Sequence, residues 1–216
     1  MTARGHQDPG VGVARWLTVH DDLLRGLAHA VSNRLATVSA LAGMLEGDSA
    51  PDPRFVRGLQ GDAEQLEGLL QTLRMLPRRE ESSVEPMLVS DAADAARRLV
   101  EHHPALRDVT VQVEALNDVM PVLADATALT HATAVCLVAA ARGLGSARTI
   151  TLTLATAGDE VQLRAVATDA AAGDDALDAI DRAAIDWLLS ASHGRADSAP
   201  GCGIGVTTLQ ASRRRA

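Results

Sequence analysis

Lysine is missing from this chain, and all 20 of its basic residues are arginine. That points to a GC-rich coding sequence more than to a function. Tyrosine is missing too, and the aromatics reduce to Phe55, Trp16 and Trp187. The core must therefore be built from Leu, Val, Ile and Ala, which suits helix packing through small contacts. Positive charge is scarce, with a formal net charge of −8. This argues against nucleic acid as a main partner, because phosphate backbones need a basic surface. The terminal "SRRRA" reads as a solvated basic tail. Only two cysteines occur, Cys136 and Cys202. They match no metal-ligand spacing, so two free thiols in a reducing compartment and no metal site are expected. No apolar run approaches the roughly 18 residues that span a bilayer, and no charged-then-apolar leader opens the chain. The expectation is a soluble, cytoplasmic protein with no membrane partner.

What is present is periodicity. From Trp16 to Glu46 a helical rhythm runs unbroken, after an aperiodic and loose stretch over 1–14. Leu24, Leu27, Val31, Val38, Leu41 and Leu45 alternate at spacings of three and four, interrupted at Arg34, like a coiled-coil seam. "GDSAPDP" (47–53) is a turn. A second helix follows, with Leu59, Ala63, Leu66, Leu70 and Leu73 in the same rhythm. An antiparallel hairpin over 15–78 is expected. A lone hairpin leaves an apolar side uncovered, so a homodimeric four-helix bundle is the natural completion.

Beyond the polar linker "LPRREESS" the pattern changes. "VEPMLV", "VTVQVEAL" and "VMPVLAD" read as strands. "SDAADAARRLVEHH" reads as a helix capped by Ser90. "ATALTHATAVCLVAAARGL" is a strongly apolar helix. "RTITLTLATAGDEVQLRAVAT" is a hairpin turning at Ala157-Gly158-Asp159. "ALDAIDRAAIDWLLSASHG" reads as a helix ending in Gly194, and "ADSAPGCGIGVTTLQ" as a turn and last strand. Antiparallel strands with helices on one face make residues 84–212 an α/β sandwich, and the whole chain α+β.

Three segments in this order resemble the core of bacterial two-component histidine kinases. "LAHAVSNRLATV" is similar to the family's H-box, with His29 at the phosphorylated histidine and Asn33 four residues on. "VLADATALTHATAVCLVAAA" is similar to the helix carrying the family's asparagine box. "SHGRADSAPGCGIGVTTLQ" is similar to its C-terminal hairpin. The resemblance covers roughly residues 18–210. It implies a dimerisation and histidine-phosphotransfer hairpin followed by an ATP-binding sandwich of the Bergerat type.

The departures are chemical. The family's magnesium- and phosphate-holding asparagines fall on Val135 and Ala139, which have no such side-chain chemistry. Its Asp-x-Gly-x-Gly loop falls on Asp169, Ala171 and Gly173, with the first glycine gone. Where a second glycine-rich loop should wrap the phosphates, "DDALDAIDRA" is acidic and glycine-free, which repels triphosphate and blocks close backbone approach. Gly201, Gly203 and Gly205 belong by register to the terminal hairpin. The acid that follows the family's histidine is Ala30 here. Both halves of autophosphorylation are therefore expected to be missing, with no nucleotide cofactor.

His29 lies off the seam, on the solvent side. It is either a phosphoacceptor or an ordinary surface histidine. Imidazole suits the first role, being neutral and nucleophilic near neutral pH. Asn33 shares its face. It either touches a phosphoryl group or water, or is a plain surface amide. Arg34 either neutralises phosphate or marks a polar break that sets bundle register. His102 and His103 are expected to favour a helix C-terminus, with a lesser reading as metal ligands. His131 is expected at the surface and His193 at a helix end. Only 28 residues precede His29, which suits a shuttle better than a receptor. The expectation is a phosphohistidine carrier between response-regulator receiver domains, free of any kinase step of its own, with a histidine kinase as a further candidate partner. The competing expectation is a non-catalytic scaffold that binds a kinase or receiver.

Overall fold

The computed structural model describes residues 9–44, 52–76, 83–144, 148–167, 177–192, 194–197 and 202–215. Helix α1 runs Pro9–Met44 and α2 runs Pro53–Arg74. The α2 start is built by Asp52, whose carboxylate accepts from the Arg54 amide at 2.8 Å, with Pro53 in the first turn. After them come β1 (Val84–Met87), α3 (Val89–Val100), a 3-10 turn (Pro104–Leu106), β2 (Thr110–Ala115), β3 (Val122–Asp125) and α4 (Ala126–Arg142). The chain continues through β4 (Thr149–Ala157), β5 (Glu160–Ala167), α5 (Ala179–Leu188), a 3-10 turn (Ser190–Ser192), β6 (Gly194–Asp197), β7 (Cys202–Thr207) and α6 (Leu209–Arg215).

The sandwich is α+β, with a mixed five-stranded sheet in the order β2-β4-β5-β7-β6. β2 and β4 are parallel, and the remaining neighbours are antiparallel. β1 and β3 form a separate antiparallel pair. One sheet face is apolar: Ile150, Leu152 and Leu154 of β4 and Val161, Leu163 and Ala165 of β5 are buried. The other carries Arg164, bonded to Asp197 at 2.8 Å, and Arg195, bonded to Glu160. That alternation is what a half-covered sheet requires. The α4 helix is buried nearly all round from Leu129 to Val138, as its unbroken apolar run implies. Asp125 caps it by accepting from the Ala128 amide at 2.9 Å.

Several local expectations are corrected. Helix α1 begins at Pro9, not near Trp16. Its buried row is Val19, Leu23 and Leu27, whereas Leu24 is 38% exposed. The shift follows from what α1 packs on: Val19 and Leu23 join the sandwich core, against α5 and α4, before the helix reaches α2. Ser90 does not cap α3; the cap position is Leu88 and no side chain bonds there. Gly194 opens β6 instead of closing a helix, because α5 stops at Leu188 and its carboxylate Asp186 accepts from the Ala196 amide at 2.7 Å. Cys136 and Cys202 are not free thiols: they form a disulfide between α4 and β7, with Cα atoms 5.4 Å apart at a sequence separation of 66. No helix among the described residues is long and apolar enough to cross a membrane.

The seat of α1 depends on two glycines. A Cβ on Gly12 would come within 2.5 Å of the Ala183 carbonyl oxygen. A Cβ on Gly26 would run into the His102 carbonyl. Both obstacles are backbone and cannot rotate away. Gly61, inside α2, has nothing within 4 Å of its virtual Cβ. Gly61→Ala should therefore stabilise by about 0.5–1 kcal/mol through helix propensity. Gly26→Ala should destabilise by about 1–3 kcal/mol through overpacking, despite the same propensity gain. Urea unfolding of the two variants checks this, and equal signs would refute it.

Candidate functional site

His29 is one turn beyond Gly26 on α1 and is exposed. The Asn33 amide nitrogen lies 3.2 Å from its Nε2. The two side chains are within hydrogen-bond distance, one turn apart on the same face of α1. Thr37 extends the row, its hydroxyl donating to the Asn33 carbonyl at 3.1 Å. Arg34 turns toward the second helix and donates to Asp62 at 3.0 Å. The Asp62 side chain is 9% exposed and that of Arg34 43%, so the pair links α1 to α2 at the edge of the cleft. Arg25 is likewise engaged, with Asp21 at 2.6 Å and Asp22 at 2.8 Å.

His29, Asn33 and Arg34 open into a cleft of about 1020 Å³. One wall is the hairpin, with Gln65, Leu69 and Thr72 from α2. The opposite wall is the corner of the sandwich where α3 passes into the 3-10 turn, bringing Arg98, His102 and Arg107. The walls meet where Gly26 touches the His102 backbone. These sandwich residues carry no motif, and only the fold places them beside His29.

His103 does not serve as a cation at a helix end. It is buried, and its Nδ1 accepts from the Ala105 amide at 3.1 Å, capping the 3-10 turn. Its Nε2 faces Asp22 at 3.9 Å. Burial lowers its pKa, partly countered by Asp22 and reinforced by Arg15. Burial also lowers the pKa of His102, against the pull of Glu101. His131 is not at the surface: it is 2% exposed. Its Nε2–H donates to the Met75 carbonyl at 3.2 Å, tying the end of α2 to α4. Its pKa is lowered to about 4, chiefly by burial, with the Met75 bond opposing and His20 adding to the fall. His193 lies outside the described residues. Among the described residues, no group of three His, Cys, Asp or Glu is placed to hold a metal ion.

Val135 is fully buried in the core and Ala139 is half-buried against it. Asp169 and Gly173 lie outside the described residues, as do Asp174 and Asp175. The described part of the acidic stretch is structural. Asp178 caps α5, accepting from the Asp181 amide at 2.7 Å, and pairs with Arg142 at 3.1 Å. Asp181 is fully buried, with Arg15 Nε 2.6 Å from Oδ1 and Arg142 on Oδ2. What the sequence presented as a repulsive surface is, at Asp181, an internal anchor for α1.

No family model matches the chain, and no curated protein is significantly similar to it. Solved structures are. The Acinetobacter baumannii histidine kinase AdeS is 15% identical at a TM-score of 0.42, over 86% of this chain and 97% of its own. A bacterial phosphotransferase is 11% identical at a TM-score of 0.42, over 88% of this chain and 95% of its own. The mycobacterial sensor histidine kinase MprB is 15% identical at a TM-score of 0.40, over 58% of this chain and 96% of its own.

Proposed function

We propose that this protein is a histidine phosphotransfer protein. His29 takes a phosphoryl group from the aspartyl phosphate of one receiver domain and passes it to another, with no ATP-driven autokinase step. The observation that carries this reading is the contrast between two places. His29 is an exposed imidazole with the Asn33 amide 3.2 Å from its Nε2. The positions that would hold magnesium and nucleotide are the apolar Val135 and Ala139, buried and half-buried. In the step itself the His29 nitrogen attacks phosphorus, the P–O bond to aspartate breaks, and the carboxylate leaves. The reverse loads the second receiver. The receiver brings its own metal and acids, so this chain need supply only a nucleophile and a docking face.

The proposed assembly is a homodimer through the hairpin. Leu24 at 38% and Leu35 at 52% exposure on α1, and Leu70 at 55% on α2, are apolar surface of the hairpin that a second copy would cover. The test is incubation with phosphorylated receiver domains. The native chain should elute as a dimer by light scattering and acquire acid-labile label. His29→Ala should remain folded and lose at least about 100-fold of that label, as removal of a nucleophile does. Equal labelling of His29→Ala would refute the assignment and leave the scaffold reading.

A further inference from the structure

Two cations of the cleft have no carboxylate partner among the described residues. Arg25 and Arg34 are already bonded to carboxylates of the hairpin. Arg98 and Arg107 are exposed, line the same cleft from the sandwich, and take part in no ion pair among the described residues. Their neighbour Arg97 is outside the cleft and pairs with Asp94 at 3.6 Å. Glu101 and Asp108 also reach the cleft. With Arg98 and Arg107 they leave the sandwich wall near neutral, so it has little pull on free anions.

We propose that Arg98 and Arg107 are positioning residues for the phosphoryl group on His29, binding it across the cleft and clamping the sandwich corner to the hairpin. This rests on His29 being a phosphoacceptor, not on receivers being the donors. Geometry favours it. The corner is pinned to α1 at Gly26, one turn before His29. Both arginines therefore share with His29 a cleft whose two walls are already joined at that point. Planar guanidinium groups match phosphoryl oxygens in paired, charge-assisted hydrogen bonds. Tethering to His29 supplies the effective concentration that a free anion lacks.

The experiment loads His29 with phosphoramidate, a chemical donor that needs no receiver. The donor's N–P bond breaks, ammonia leaves, and a new N–P bond forms to the imidazole. Loading should raise the melting temperature of the full-length native chain by about 3–6 °C, as two charge-assisted contacts would in a chain of this size. Arg98→Ala and Arg107→Ala should each lose at least half of that rise. Arg107→Lys should keep part of it, Arg97→Ala all of it, and high salt should shrink it. No rise on loading, failure of His29 to load, or an equal rise in the two alanine variants would overturn the clamp. A normal rise with no transfer from receivers would leave the clamp standing and remove only the relay.

Discussion

Replacing Asp181 with alanine should cost about 3–5 kcal/mol of stability, the usual penalty for breaking a buried ion pair from one side. Among the described residues, Asp181 is the only carboxylate that both Arg15 of α1 and Arg142 of α4 reach, and none of it is exposed. Arg142 retains Asp178 and is 44% exposed, so it can turn to water. The Arg15 side chain is 19% exposed and would be left charged between α1 and α5. The first half of α1 should then lift from the sandwich, exposing Val19 and Leu23. For a chain of this length the melting temperature should fall by roughly 6–20 °C. Arg195→Ala is the comparison: that pair with Glu160 is 66% exposed on its arginine side. It should change stability by less than about 1 kcal/mol. Thermal unfolding followed by circular dichroism decides it. A shift under about 2 °C for Asp181→Ala would mean α1 is held by apolar contacts alone.

Much of the fold was legible because periodicity and burial share a cause. The alternation of Thr and aliphatic residues in β4 and the all-round apolar run of α4 each have one energetically acceptable placement. The hairpin was legible for the same reason, and Leu27 was read correctly, but the seam was placed on Leu24 where the buried residue is Leu23. Leu23 and Leu24 are both apolar, and period alone does not choose between them. The choice belongs to α5, whose Ala183 and Ala184 allow α1 to approach through Gly12. His29 and Asn33 were legible as neighbours, being one turn apart. Their opposite wall was not, since Arg98 and Arg107 come from an ordinary amphipathic helix and a short turn far along the chain. The Cys136–Cys202 link depends on α4 crossing β7, a tertiary fact with no local signal. The acidic run misled because sequence displays charge without depth: Asp181 is as buried as Leu163.

Depth also decides the response to acid. His131 titrates near 6.5 when unfolded, and burial lowers this to about 4 in the native chain. Between those values the unfolded chain binds a proton that the native chain refuses, so acid favours unfolding. The stabilisation is fully present above about pH 6.5 and is lost as pH falls toward 4. The bond to Met75 does not reverse this sign, because imidazolium would still donate to that carbonyl; what charging costs is the buried position itself. His103 and His102, with pKa values also lowered by burial, push in the same direction. His131→Gln keeps a donor for Met75 and removes the titration. Between about pH 7 and about pH 4.5 the native chain should lose about 2–3 kcal/mol more than this variant, since a proton refused across one pH unit is worth about 1.4 kcal/mol. Denaturant unfolding at the two pH values measures the difference, and carboxylate effects cancel because both proteins share them. Parallel pH dependence would mean that His131 already reaches solvent when native, and that the seam between α2 and α4 opens more readily than its packing implies.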